Sequence, residues 1–400
     1  MNLARLSPAI LCLPVLLVAG CSSNTTPPPH PTPASCLDAP SSEFAYALTG
    51  YSVSAFTVNS CNGQFTGSAP AISTGYASPQ DNSEQLVADP LGRFVYVANL
   101  VSNASDLSTI SSYTINPTTG VLTATSPATV HTGWLPQAIA IDPKGRFVYT
   151  ANSDDATVSM FTINQTTGVL TPTSPATVST MVPNQLLSDP SFITVDPTGQ
   201  YLYVTANLSD GAVVFMYTIN QTTGLLTPNS PATVMTGGIP WQVVISPNGA
   251  FAYVVNNDSG GTSTDGVWQY EVNHTTGVLI PDSTPAVPAG NAPTAIAIDP
   301  TSSFAYVVNR NDSTLSMYYI NPTTGSLTLN ASATNPTGTI ATGVQPFRID
   351  FDPSGKFLYV TNEDGPISIY TVNTNGTLTN TGTTGVATGS LSTAFTKASQ

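Results

Sequence analysis

The chain has 400 residues, of which 8 are Lys or Arg and 22 are Asp or Glu; charged residues make up 8% of it, against roughly 25% in an ordinary globular domain. A formal charge of −14 excludes the basic surface that nucleic-acid binding requires. With 40% hydrophobic residues, 30 Gly, 34 Pro and abundant Thr, Ser and Asn, the chain can bury a large core and favours strands and turns over helices, so the fold class expected is all-β.

Residues 1–20 contain one cation, Arg5, followed by an apolar run from Ala9 to Ala19 that ends in small residues. The run is too short to span a bilayer as a helix and reads as a signal peptide. Val18-Ala19-Gly20-Cys21 resembles the lipobox of bacterial lipoproteins. That resemblance implies acylation of Cys21, which would become the first residue of the mature chain, and Ser22 after it implies passage to the outer membrane. An ordinary signal peptide ending near a cysteine is the alternative. Residues 21–43 are rich in Pro, Ser and Thr and nearly devoid of apolar side chains, so an extended tether is expected there. Of the four Cys, Cys12 would leave with the signal and Cys21 would be acylated. Cys36 and Cys61 remain as an even pair in an oxidising compartment, where a disulfide is expected and two free thiols are the alternative.

From residue 86 onward one unit recurs: LVADPLGRFVYVAN (86–99), IAIDPKGRFVYTAN (139–152), ITVDPTGQYLYVTAN (193–207), VVISPNGAFAYVVN (243–256), IAIDPTSSFAYVVN (296–309) and IDFDPSGKFLYVTN (349–362). With Asp89, Asp142, Asp196, Ser246, Asp299 and Asp352 as phase marker, the spacings are 53, 54, 50, 53 and 53. Each copy is followed by a second hairpin of the type YTINPTTGVLT (113–123). Four short strands a, b, c and d per unit, with Pro and Gly confined to the joints, predict propeller blades. Residues 44–66 supply strands b, c and d of a seventh unit, and residues 392–397 its missing strand a, so seven blades are expected over 44–397, closed by pairing the two ends.

The YVxN signature, with an aromatic residue two positions earlier, resembles the YVTN repeat, and residues 44–397 are similar to the lactonase-like seven-bladed propeller family. The resemblance implies the fold. The activities it suggests are those of 6-phosphogluconolactonases and fungal muconate cycloisomerases, alongside exported members without an assigned activity.

Strand alternation places the a-to-b and c-to-d turns on one face, termed the bottom, and the b-to-c and d-to-a loops on the top. The bottom turns, DPxG and NPTTG or NQTTG, are tight-turn sequences; Arg93, Lys144, Arg146, Lys356 and His274 fall in them and are expected to face solvent. The top loops vary, which is where a repeat array usually binds. They carry Asp106, Asp154, Asp155, Asp210, Asp258, Asp312, Glu363 and Asp364, expected as solvated turn residues. A bridging Ca²⁺ is the alternative, but no loop has the order of a calcium loop, so no metal site and no cofactor are assigned. The d-to-a loops contribute Trp134 and Gln137, Trp241 and Gln242, and Phe347 and Arg348, read as equivalent positions able to stack on and hydrogen-bond a ligand or to pack between blades. Arg310 and Arg348 are the cations on this face.

No GxSxG, HExxH, P-loop or CxxC motif is present, and of the 3 His only His131 falls near the top loops. The lactonase resemblance implies a Pro-Arg-His run entering strand a of the last full blade and an Asn-Glu pair after its strand b. Here the counterparts are Pro346-Phe347-Arg348 and Asn362-Glu363. Phe347 stands for the Arg and Arg348 for the His, which removes the imidazole that would act as general base. The leading expectation is therefore a non-catalytic, exported and lipid-anchored envelope propeller at the outer membrane or cell surface. It would be monomeric and would bind a glycan or protein through Trp134, Gln137, Trp241, Gln242, Phe347 and Asn362. The alternative is a lactonase or cycloisomerase acting on an extracytoplasmic lactone, with Glu363 as base, Arg348 at the oxyanion, and Arg310 or His131 assisting. A purely structural role is the third reading.

Overall fold

The computed structural model describes residues 43–75, 82–100, 108–183, 185, 188–257, 266–332, 334–388 and 392–397. The chain divides into two units, Met1–Thr32 and Pro33–Gln400. The first, with the expected signal peptide and Cys21, lies outside the described residues, as do Cys36, Asp106 and Asp258. Cys61 is disulfide-bonded.

The second unit consists of seven antiparallel sheets, and no helix occurs among the described residues. A representative blade runs from inner strand a, Pro136–Ile141, through Phe147–Asn152 and Thr157–Ile163 to the outer strand d, Leu170–Ser179. The inner strands of successive blades pack side by side in a closed ring around a central channel. Closure is as the repeat count predicts. Ser392–Lys397 pairs antiparallel with Glu43–Thr49, in the register Tyr46↔Ala394, and supplies the first blade's inner strand. In two blades strand d is interrupted and a short fifth strand, Ile72–Ser73 or Thr339–Ala341, completes the pairing.

The repeat residues hold the blades to one another. The Tyr at the YVxN position of each blade is buried, and its hydroxyl donates to the carbonyl of the glycine in the next blade's c-to-d turn. The seven bonds run Tyr46 to Gly120, Tyr96 to Gly168, Tyr149 to Gly224, Tyr203 to Gly277, Tyr253 to Gly325, Tyr306 to Gly376 and Tyr359 to Gly63, at 2.7–3.2 Å. The same glycine has a positive φ and lies so close to the aromatic residue opening that strand b that a Cβ would meet the ring. At Gly224, φ is +74° and the contact would be 2.5 Å from Phe147. Glycine is thus required twice, by conformation and by space.

The Asn of YVxN is buried at the top end of strand b, where it fastens strand c. Asn99, Asn152 and Asn309 donate from Nδ2 to Ser111, Ser159 and Ser316, at 2.8–2.9 Å. At the bottom, Arg93 and Arg146 are not simply solvated as expected. Each pairs with a buried Asp of its own DPxG turn, Asp89 at 2.6 Å and Asp142 at 2.8 Å. Each also reaches a backbone carbonyl of a neighbouring blade, Gly145 and Gln221 respectively.

Candidate functional site

The site is built by an irregularity shared by the inner strands. The ladder from strand a to strand b skips one residue after Ser83 in one blade and, in five others, after a Pro at or near the start of strand a. Pro136 faces Asn152 and Ala138 faces Ala151; Pro240 faces Asn256 and Gln242 faces Val255; Pro346 faces Asn362 and Arg348 faces Thr361. The residues skipped after Pro are Gln137, Trp241 and Phe347, with Ser191 and Thr294 in the other two of these five blades. Such bulges re-aim a side chain out of the sheet. All five line one pocket of about 220 Å³ at the top mouth of the channel, together with Asn207, Ile239, Pro240 and Arg348.

The bulge corrects the equivalence read from sequence. Gln137 matches Trp241 and Phe347, whereas Gln242 matches Arg348, one step further in. Gln242 is buried and its Oε1 accepts the backbone N–H of Ile296 in the next blade at 2.7 Å, as Gln85 does from Ile139 and the Ser392 hydroxyl from Leu86. This glutamine is an interblade clamp facing the channel, not a rim residue. Asn362 is fully buried, and its Nδ2 donates to Pro366 O at 2.6 Å and Ser368 Oγ at 3.1 Å. It shapes the loop carrying Glu363 and is not exposed to the mouth. Trp134 stands outside the pocket lining, its backbone N–H donating to Asp155 Oδ2 at 2.6 Å. His131 is exposed on an outer strand, opposite Thr109, and is likewise not among the lining residues.

Arg348 is the residue shared by the mouth pocket and the channel cavity of about 430 Å³ beneath it. Its guanidinium lies 5.3 Å from the Phe192 ring and 5.5 Å from the Phe347 ring, within cation–π range. Trp241 meets Phe347 edge-on, with centroids 6.1 Å apart and planes at 85°. Glu363 is engaged by Arg310 across the blade boundary at 2.6 Å, and Arg310 also reaches Gln345 Oε1 at 3.5 Å. That ion pair stands at the top beside the pocket and is not among the residues lining it.

A carboxyl that sequence reasoning missed lies in the channel. Asp350 follows Arg348 by two residues on Pro346–Phe351, lines the lower cavity and accepts from Thr393 Oγ1 at 2.6 Å. Burial pushes its pKa up, opposed by the Thr393 hydrogen bond and the Arg348 charge. The sequence signal was present: other repeats carry Val87, Ala140, Thr194, Val244 and Ala297 at this position. Asp189, also missed, is raised by burial and by Asp154.

The top-face carboxylates brace loops. Asp312 Oδ2 accepts from the Asn291 N–H at 2.8 Å and Asp210 Oδ2 from Gln185 at 3.1 Å. Among the described residues no group of three or more His, Cys, Asp or Glu gathers to hold a metal.

The profile of the family "Lactonase, 7-bladed beta-propeller" matches residues 39–183 and 184–393. The chain belongs to the lactonase seven-bladed propeller family. One relative of this lactonase-family chain, a 6-phosphogluconolactonase of Bacillus subtilis (strain 168), is 25% identical over 298 residues, 70% of this chain and 80% of that protein. Among solved structures, a Bacteroides uniformis ATCC 8492 protein superposes with TM-score 0.71 at 24% identity, covering 88% of this chain and 99% of that one. The periplasmic gluconolactonase PpgL of Pseudomonas aeruginosa gives 0.67 at 20% identity, covering 88% and 98%. These superpositions establish the shared fold.

Proposed function

We propose that this lactonase-family propeller hydrolyses a lactone at the channel mouth. The observation that carries the reading is the placement of Arg348 at the junction of mouth and channel, with Asp350 two residues along the same strand and hence on the same side of it. Family membership and the Bacillus subtilis relative weigh toward lactone chemistry over the glycan- or protein-binding role expected from sequence.

In this reading the Arg348 guanidinium receives the lactone carbonyl oxygen and stabilises the negative charge that grows there as water attacks. Asp350, which burial keeps protonated to higher pH than an ordinary carboxyl, handles the proton. In its ionised form it takes one proton from the attacking water and returns it to the ring oxygen as the carbonyl-carbon-to-oxygen bond breaks. Water and lactone are consumed, a hydroxy acid is released, and no other reactant is needed. Arg310 and Glu363 brace the rim beside the site.

The test is hydrolysis of a panel of sugar, aliphatic and aryl lactones by the full chain, followed by pH-stat. Turnover that Arg348→Ala lowers about 10²–10³-fold is expected, the usual loss when one oxyanion donor is removed. Turnover untouched by that change would refute the placement. We also propose export and a lipid anchor at Cys21. Metabolic labelling with a fatty-acid analogue should mark the wild type and spare Cys21→Ala, and equal labelling of both would refute the anchor.

A further inference from the structure

We propose that the ring of bulge residues sets substrate class, and that Trp241 and Phe347 select a small lactone bearing an apolar substituent over a phosphorylated or polyhydroxylated one. The inference rests on the lactonase reading of the same pocket.

The pocket lining is mixed: Gln137, Ser191, Asn207 and Thr294 supply polar groups, and Ile239, Pro240, Trp241 and Phe347 supply apolar surface. The apolar part is partly uncovered, with Trp241 37% and Ile239 41% exposed. Exposed aromatic and aliphatic surface converging on one concave site is the usual mark of a ligand's apolar part. The volume, about 220 Å³, lies below the ~300–1,000 Å³ typical of pockets for drug-sized molecules, so the ligand is a small ring with a short substituent.

Charge argues the same way. Among the described residues lining the pocket, Arg348 is the only cation. Arg93, Lys144, Arg146 and Lys356 fall in the bottom turns, and Arg310 is committed to Glu363. A phosphate dianion is ordinarily met by several charge-assisted donors; here it would meet one guanidinium, flanked by two phenyl rings. A single lactone carbonyl, or the carboxylate formed from it, matches that one guanidinium.

The bulge explains how such a preference can be installed. The skipped residue pairs with nothing on strand b, so its identity is not dictated by the ladder. The five positions that line the pocket carry Gln, Ser, Trp, Thr and Phe.

The experiment compares γ-phenyl-γ-butyrolactone, glucono-δ-lactone and 6-phosphogluconolactone as substrates of the full chain and of Trp241→Ala and Phe347→Ala. Tryptophan fluorescence is the second readout, with Trp241→Phe as its control. Expected is a kcat/KM at least tenfold higher for the phenyl lactone than for either sugar lactone, within the 10–200-fold range set by small apolar groups. The ratio should collapse in the Trp241 and Phe347 variants, through a loss of kcat/KM that is larger for the phenyl lactone than for glucono-δ-lactone. Equal or better turnover of the sugar lactones overturns the inference and leaves the lactonase reading standing. Fluorescence change with the phenyl lactone but no turnover supports the pocket's selectivity and overturns the lactonase reading. Neither turnover nor fluorescence change with any of the three overturns both.

Discussion

Replacing Gly224 by Ala tests the proposed basis of blade-to-blade cohesion. Gly224 sits in a c-to-d turn at φ +74°, its carbonyl accepts the Tyr149 hydroxyl at 2.9 Å, and an added Cβ would lie 2.5 Å from the Phe147 ring. The left-handed backbone conformation costs a non-glycine residue about 1–2 kcal/mol. Forcing a methyl into packed surroundings costs about 1–3 kcal/mol more. The ring cannot swing away cheaply, because Phe147 is buried and Arg146 lies over it at 4.9 Å. The total is about 2–5 kcal/mol, which for a propeller of this length lowers Tm by about 3–7 °C. Gly50 supplies the internal control: its φ is +56°, but nothing lies within 4 Å of its would-be Cβ. Gly50→Ala should therefore show the conformational cost alone, about 1–2 kcal/mol. Chemical denaturation of both variants and the parent, with midpoints and slopes fitted together, separates the two contributions. If Gly224→Ala is no more destabilising than Gly50→Ala, the packed-glycine account of the interblade joint is wrong.

Tyr149→Phe deletes the same joint's hydrogen bond and should cost about 1–2 kcal/mol, since a buried carbonyl loses its donor; a value near zero in urea melts would assign the cohesion to the ring contact alone. Asp350 has a pKa raised in the folded state, so the fold binds its proton more tightly than the unfolded chain does. Its contribution to stability is favourable below the unfolded carboxyl range and is lost as pH rises through the folded pKa. Asp350→Asn should accordingly raise Tm at pH 7–8 relative to wild type, with the gain shrinking toward pH 4, while abolishing lactone turnover; a gain constant with pH would contradict the burial argument. Arg310 and Glu363 form a partly exposed pair, so a double-mutant cycle with Arg310→Met and Glu363→Gln should return a coupling of about 1 kcal/mol or less that fades with salt. Glu363→Gln should retain lactone hydrolysis within about tenfold, and a loss like that of Arg348→Ala would return the base role to Glu363.

The fold was legible because the same residues recur where the same joint recurs. Tyr and the turn glycine satisfy a contact made in all seven blades, and Asn one made in several, so each repeated constraint leaves its repeated copy in the sequence. The site was legible only in part, because it sits where the repeat is broken. Period-2 alternation assumes an uninterrupted ladder, and the bulge near the start of strand a shifts the count by one. That shift moved Gln242 from the rim to an interblade clamp and left Ser191 and Thr294 unnoticed. Arg310 and Glu363 could have been paired, since both follow the terminal Asn of strand b in adjacent repeats and carry opposite charge. Asp350 was visible as the one acidic residue among small and apolar ones at its strand position. His131 looked available from its loop neighbourhood, but an outer strand carries it away from the axis, a distance that a one-dimensional repeat does not encode.

The joint between the chain's two ends is built like every other joint in the ring. Tyr359 reaches Gly63 at 2.8 Å across a sequence separation of 296, the same bond that Tyr149 makes to Gly224 at 2.9 Å across 75 residues, and Glu43 lies opposite Lys397 in the closing ladder. To the folded ring, then, the place where the backbone is cut is arbitrary. Joining Lys397 to Glu43 through a short linker and opening the chain instead at the Gly50 turn should give a circular permutant with the same mouth, the same channel and a cooperative melt.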